Sequence, residues 1–190
     1  LMGFGRRALS VTPAEMKSYI MYQVGALQTF LRADGMTLQH VKPHGAMYNA
    51  AAKDIKLSRA ICEAIAECAP GAILLCLSGS EMCRAAEECG ILYASEVFAD
   101  RAYEDDGSLV ARSKPGAVIT DENEAIARVV RMVRESKVTS VNGKDISIKA
   151  DSICVHGDNA HALEFVTRIR AALKAENIST APLGDVISAR

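Results

Sequence analysis

The run Ala72-Ile73-Leu74-Leu75-Cys76-Leu77 constrains this chain more than any other segment. It is apolar at every position, not at alternate ones, so a strand formed here must be covered on both faces. Strands of that kind belong to parallel sheets sandwiched or ringed by helices. Pro70-Gly71 precedes the run and Ser78-Gly79-Ser80 follows it, which bounds it as a short strand. It is the longest uninterrupted apolar run in the chain and is far below the roughly 20 residues a membrane helix requires. The first residues, Leu1-Met2-Gly3-Phe4-Gly5-Arg6-Arg7, carry charge with no apolar stretch behind it, unlike a secretory leader.

The segments around this strand alternate between helical and extended patterns. Thr12-Pro13-Ala14-Glu15 combines a capping hydroxyl, a proline at the first helical position and a glutamate placed to close a capping box. Met16, Ile20, Val24, Leu27 and Leu31 then recur at helical spacing, predicting a buried stripe on a helix over 13–33 that Gly35 stops. A strand is expected over 38–42, a short helix over 46–52, and a longer helix capped by Asp54. After the 72–77 strand come a helix opened by Ser80 as N-cap and closed by Gly90, and a strand over 91–98.

Residues 99–118 show little periodicity and are long for a connection, a length at which loops are usually functional. Asp121 starts another helix with Ile126, Val129, Val130 and Val133 facing inward. Residues 138–149 alternate around Asn142-Gly143, a strong hairpin signal. A strand over 152–155, a helix over 160–175 burying Leu163, Val166, Ile169 and Leu173, and a short final strand over 178–181 complete the pattern. The expectation is a single α/β domain over 1–190 with a β-hairpin insertion near 138–149. A closed (β/α) barrel needs more strands than these and typically about 250 residues. Either the sheet is small and open, or part of a barrel is absent.

Charge narrows the partners. The 22 Lys and Arg balance 23 Asp and Glu for a net charge of −1, with no basic block, so a nucleic-acid partner is not expected. Nor is a membrane. The six cysteines lack the C-x-x-C spacing of structural zinc sites and sit among apolar neighbours, which fits reduced thiols in the cytoplasm.

In parallel α/β folds ligands bind beyond the carboxyl ends of the strands. Those ends carry Lys42, His44, Tyr48 and Asn49; Ser78 and Ser80; Asp100, Arg101 and Tyr103; and His156 and Asp158. Two of the four histidines lie there, each followed by glycine, which permits close approach of a ligand or of backbone. Each residue also has a plain structural use. His44 and His156 can be packing residues, Asp100 and Arg101 a local ion pair, and Asp158 a helix cap. His40 and His161 read as structural or solvent-facing. Neither a G-x-x-x-x-G-K-[ST] loop nor a G-x-G-x-x-G after a strand is present, so nucleotide use is not written in the standard fingerprints. The turn at residues 77–80 offers backbone N–H groups to an anion only weakly.

Several stretches resemble the LamB/YcsF family: Gly3-Phe4-Gly5-Arg6-Arg7, His40-Val41-Lys42-Pro43-His44-Gly45-Ala46-Met47-Tyr48-Asn49, Glu96-Val97-Phe98-Ala99-Asp100-Arg101-Ala102-Tyr103, Arg112-Ser113-Lys114-Pro115-Gly116-Ala117 and Cys154-Val155-His156-Gly157-Asp158. The resemblance runs through the whole chain, in order. It implies a seven-stranded (β/α) barrel of the glycoside hydrolase and polysaccharide deacetylase type. The implied activity is ATP-dependent opening of 5-oxo-L-proline (pyroglutamate) to L-glutamate, the reaction of a 5-oxoprolinase whose A component works with B and C subunits. The family pattern has a segment upstream of Gly-Phe-Gly-Arg-Arg, so the barrel expected here lacks its N-terminal strands.

On that resemblance Lys42 and Arg101 would stabilise phosphate and oxyanion charge, and His44 and His156 would move protons. Asp100 would belong to the same catalytic group. Asp158 would orient a histidine, act as base or hold a metal. Tyr48, Asn49, Tyr103, Ser113 and Ser78 would contact substrate. ATP with Mg2+ is the implied cofactor, the metal requirement of this chain is unknown, and a homo-oligomer stays open. Two rivals are a metal-dependent deacetylase or amidohydrolase on a related barrel, and an inactive fragment that only binds partners.

Overall fold

The computed structural model describes residues 5–157 and 162–189. Its contacts divide the chain into two units, Leu1–Ala94 and Ser95–Arg190.

In the first unit, helix α1 spans Pro13–Ala33. The capping box forms as the sequence predicts: Glu15 N–H donates to Thr12 Oγ1 at 3.2 Å, and Thr12 N–H donates to the Glu15 carboxylate at 2.8 Å. Met16, Ile20 and Val24 are buried and pack toward α3, but the expected stripe stops there. Leu27 is 49% exposed and Leu31 only partly buried, because α1, at 21 residues, outruns the 14-residue α3 by about two turns.

Strand β1 is His40–Val41, shorter than expected, and is followed by α2 over Ala46–Ala51 and α3 over Ile55–Cys68. Asp54 caps α3 by accepting from the N–H groups of Lys56 and Leu57. Strand β2, Ile73–Leu77, is buried at all five positions, as its two-sided apolarity requires. It pairs in parallel with β1, with Val41 opposite Leu74, and Leu74 N–H reaches Leu92 O at the start of β3. Helix α4 covers Glu81–Cys89, and β3 begins at Tyr93 and runs to Phe98. Ser80 stands at the N-cap position of α4, but its side chain makes no capping bond there.

In the second unit the rest of β3 leads to the long segment and to α5, Glu122–Glu135. Helix α5 buries Ala125, Val129 and Met132, and Ile126, Val130 and Val133 pack at the margin of the core. The hairpin forms from β4, Lys137–Thr139, and β5, Asp145–Ser147, antiparallel with Val138 opposite Ile146. Gly143 N–H closes a turn on Ser140 O at 3.0 Å, and Gly143 takes φ +79°. The glycine thus closes the turn in the left-handed region, where side chains are penalised.

Strand β6, Ser152–Cys154, pairs in parallel with β3, placing Phe98 opposite Cys154. Helix α6, Ala162–Ala175, buries Phe165, Ile169 and Leu173. Leu163, expected inside, is 82% exposed, because α6 turns Phe165 to the core instead. The strand expected over 178–181 is absent. Asn177 adopts φ +58° and Ile178 N–H donates to Leu173 O at 2.9 Å, so these backbone groups terminate α6 and do not join a ladder. Residues 178–181 instead line a cleft of about 520 Å³ with Val155, Ile169 and Leu173. A short helix, α7, Leu183–Ser188, which the sequence did not suggest, follows Pro182. Among the described residues no helix is long and apolar enough to cross a membrane.

Candidate active site

The carboxyl end of β1 delivers Lys42, Pro43 and His44. Pro43 is buried while Lys42 and His44 are exposed. The chain turns at Gly45, with φ 64° and ψ −122°, so that Ala46 N–H donates to Gly5 O at 2.8 Å. A Cβ on Gly45 would stand 2.4 Å from that oxygen, and one on Gly5 would stand 3.1 Å from His44 Cδ2. Gly5 and Gly45 therefore let two backbone segments touch and seat the His44 ring against the first. Asn49 supports the turn, donating from Nδ2 to Gly45 O at 3.0 Å. Lys42 Nζ lies 5.6 Å from the centroid of the Tyr48 ring, whose side chain is buried. Lys42 and His44 border a cleft of about 320 Å³ whose apolar wall includes Met16, Ile20 and Val24.

Within the second unit, the carboxyl ends of β3 and β6 bring Asp100 and His156 together. His156 Nδ1 is 2.7 Å from Asp100 Oδ2, and the imidazole stacks on Phe98 with centroids 5.9 Å apart. On its other side, Arg112 Nη2 is 3.0 Å from His156 Nε2. A guanidinium only donates, so Nε2 accepts and the ring proton sits on Nδ1, facing the carboxylate. The imidazole is thus a neutral base of fixed tautomer and orientation. Asp100 Oδ1 is buried and has no hydrogen-bond partner among the described residues.

The long segment 99–118 is a folded excursion. Arg101 bridges to Val118 and Tyr103 to Leu109, and Ala102, Val110 and Ala117 form a small core inside it. Arg101 is 5% exposed and donates to Ala117 O at 3.2 Å and Val110 O at 2.6 Å. Burial, then the charge of Arg112, pulls its pKa below the usual guanidinium value. Tyr103 is fully buried and its hydroxyl accepts from Phe98 N–H at 2.9 Å; burial pushes the pKa of that hydroxyl upward. Both side chains, expected to face ligand, build the frame that carries the excursion. A later turn in it is closed by Lys114 N–H on Ala111 O at 2.8 Å and leaves Arg112 and Ser113 exposed.

Ser78 is buried beside α4, and the first N–H of that helix, at Glu81, is already spent on Ala52 O. That leaves little for an anion at this turn. Asp158 and His161 lie outside the described residues. His40 is exposed, 3.2 Å from Gln39 Oε1. Sequence reasoning does not select Arg112, although it stands in one of the family-like stretches; only the fold shows that it meets His156. All six cysteines are unbridged, and burial pushes the Cys62 thiol up to about 12. Among the described residues no three His, Cys, Asp or Glu side chains converge as a metal-ligand set.

Comparison with known proteins gives a consistent picture. The sequence pattern of the LamB/YcsF family matches residues 1–188. A protein of Clostridium beijerinckii, named as the A subunit of 5-oxoprolinase, is 62% identical over 183 residues, covering 96% of this chain and 72% of the relative. One of the same name from Alkaliphilus metalliredigens is 57% identical over 178 residues, covering 94% and 70%. The crystal structure of the lactam utilization protein from Thermus thermophilus superimposes with a TM-score of 0.83 at 39% identity, covering 93% of this chain and 70% of that one.

Proposed function

The chain belongs to the LamB/YcsF family, and from that premise we propose that it is the A subunit of an ATP-dependent 5-oxoprolinase, opening 5-oxo-L-proline to L-glutamate. The observation that carries this reading is the 62% identity, along 96% of this chain, to a relative that bears the name of that subunit. The likeness to a lactam utilization protein supports a cyclic amide as substrate class. The working fold is then the seven-stranded barrel of the glycoside hydrolase and deacetylase type, in the cytoplasm, with B and C subunits as partners.

The chemistry demands what the two clusters offer. A lactam carbonyl is a poor electrophile, and ATP, with Mg2+, supplies the phosphoryl group that activates its oxygen. The residues present suit such a polyanion, since Lys42 is an exposed cation on the border of a cleft. His44, seated against Gly5, would exchange protons at that border. His156, held by Asp100 with its proton on Nδ1, takes a proton from the attacking water at Nε2. Arg101 acts at one remove, fixing the excursion that carries Arg112.

Replacing Lys42 or His44 with Ala in the complete enzyme, with B and C subunits, tests the reading. ATP-dependent formation of glutamate is expected to be abolished while the far-UV circular dichroism spectrum stays that of the wild type. Near-normal turnover in both variants would contradict it.

A further inference from the structure

We propose that Arg112 is the residue that grips the substrate's carboxylate, and that in doing so it leaves His156 and opens the imidazole for proton transfer. This rests on the lactam-opening reading above. Three observations carry it. Arg112 donates to His156 Nε2 at 3.0 Å, occupying the lone pair a base would use. Its side chain stands on an exposed turn of the excursion, a position from which a long side chain can swing. And Arg101, a second guanidinium of the excursion, is buried and committed to two backbone carbonyls, so it supplies a fixed positive charge and cannot exchange partners.

A guanidinium bonded to a neutral imidazole uses one N–H and gains no ion pair. A carboxylate offers two oxygens in the geometry the guanidinium fork matches, with full opposite charge. Arg112 and Arg101 also repel one another, an effect second to burial in lowering the Arg101 pKa, and that repulsion further favours the arrival of an anion at Arg112. Charge and geometry therefore favour exchange of His156 for a carboxylate. It releases the Nε2 lone pair while Asp100 keeps Nδ1–H in place. The ligand class specified is a small cyclic amide bearing a carboxylate next to the ring nitrogen. A lactam without the carboxylate would leave Arg112 on His156 and the base covered.

The test compares 5-oxo-L-proline with 2-pyrrolidinone, the same ring without the carboxylate, in the complete enzyme. In the wild type, kcat/KM is expected to favour 5-oxo-L-proline strongly. In R112A that preference is expected to shrink by about 10- to 100-fold, the range of a lost charged hydrogen bond, with KM for 5-oxo-L-proline rising most. R112K, which keeps the charge but not the fork, restores part of the preference. In the wild-type chain labelled with 15N-histidine, 5-oxo-L-proline shifts the His156 Nε2 resonance and 2-pyrrolidinone does not. An unchanged preference in R112A, beside normal wild-type turnover, would overturn this inference alone. Absence of wild-type turnover of 5-oxo-L-proline would overturn the lactam-opening reading, and this inference with it.

Discussion

At Gly45 two requirements coincide: a positive φ, and a backbone oxygen 2.4 Å from where a side chain would begin. Neither can be relieved by a rotamer change, because the opposing atom is the Gly5 carbonyl. Gly45→Ala is expected to cost at least about 1–3 kcal/mol from the strained backbone alone, read as a lower urea midpoint for the chain; an unaltered midpoint would show that the two segments do not meet. Asp100 is a different case, since it fixes a tautomer. In Asp100→Asn the amide can donate to Nδ1, moving the ring proton to Nε2 and removing the base. Glutamate formation by the complete enzyme should fall by about 100-fold or more; activity within a few-fold of wild type would remove His156 from the chemistry. Residue by residue, the sequence is legible where a strand end or a turn sets the position, as at His44, Asp100 and His156. It is not legible where a side chain's direction depends on distant segments. Arg101 and Tyr103 look like ligand contacts beside Asp100, yet one braces carbonyls sixteen and nine residues downstream and the other caps Phe98 N–H. Arg112 meets His156 across 44 residues of chain, which no local pattern encodes.

At the scale of elements, α1 and the hairpin are readable because their signals are local: a capping box in four residues, and an Asn-Gly between alternating runs. The segment 178–181 misleads because its apolar and β-branched residues favour a strand, while the left-handed Asn177 commits its first N–H to ending α6. The hairpin also carries a pH dependence. Arg131 on α5 hydrogen-bonds the Asp145 carboxylate, and with Thr139 holds it at about 2. The ordinary value in an unfolded chain is near 3.9. Because the folded value is the lower one, the pair's support is complete above about pH 4 and is lost as pH falls through about 2. Amide chemical shifts of Val138 and Ile146 should therefore move together over that window. In Asp145→Asn the movement should vanish; if it persists, another group anchors the hairpin.

For the molecule as a whole, fold and chemistry are tied by one rule: parallel strands deliver polar side chains at their carboxyl ends. Strand β1 delivers Lys42 and His44, and β3 with β6 delivers Asp100 and His156. The central claim is that this chain opens a lactam as part of a 5-oxoprolinase. The most direct measurement is L-glutamate released from 5-oxo-L-proline by this chain mixed with B and C subunits, with and without ATP, set against the same mixture carrying His156→Ala. The account predicts glutamate only when chain and ATP are both present, and its loss in the variant. Glutamate formed at the same rate without the chain, or undiminished by His156→Ala, would contradict it.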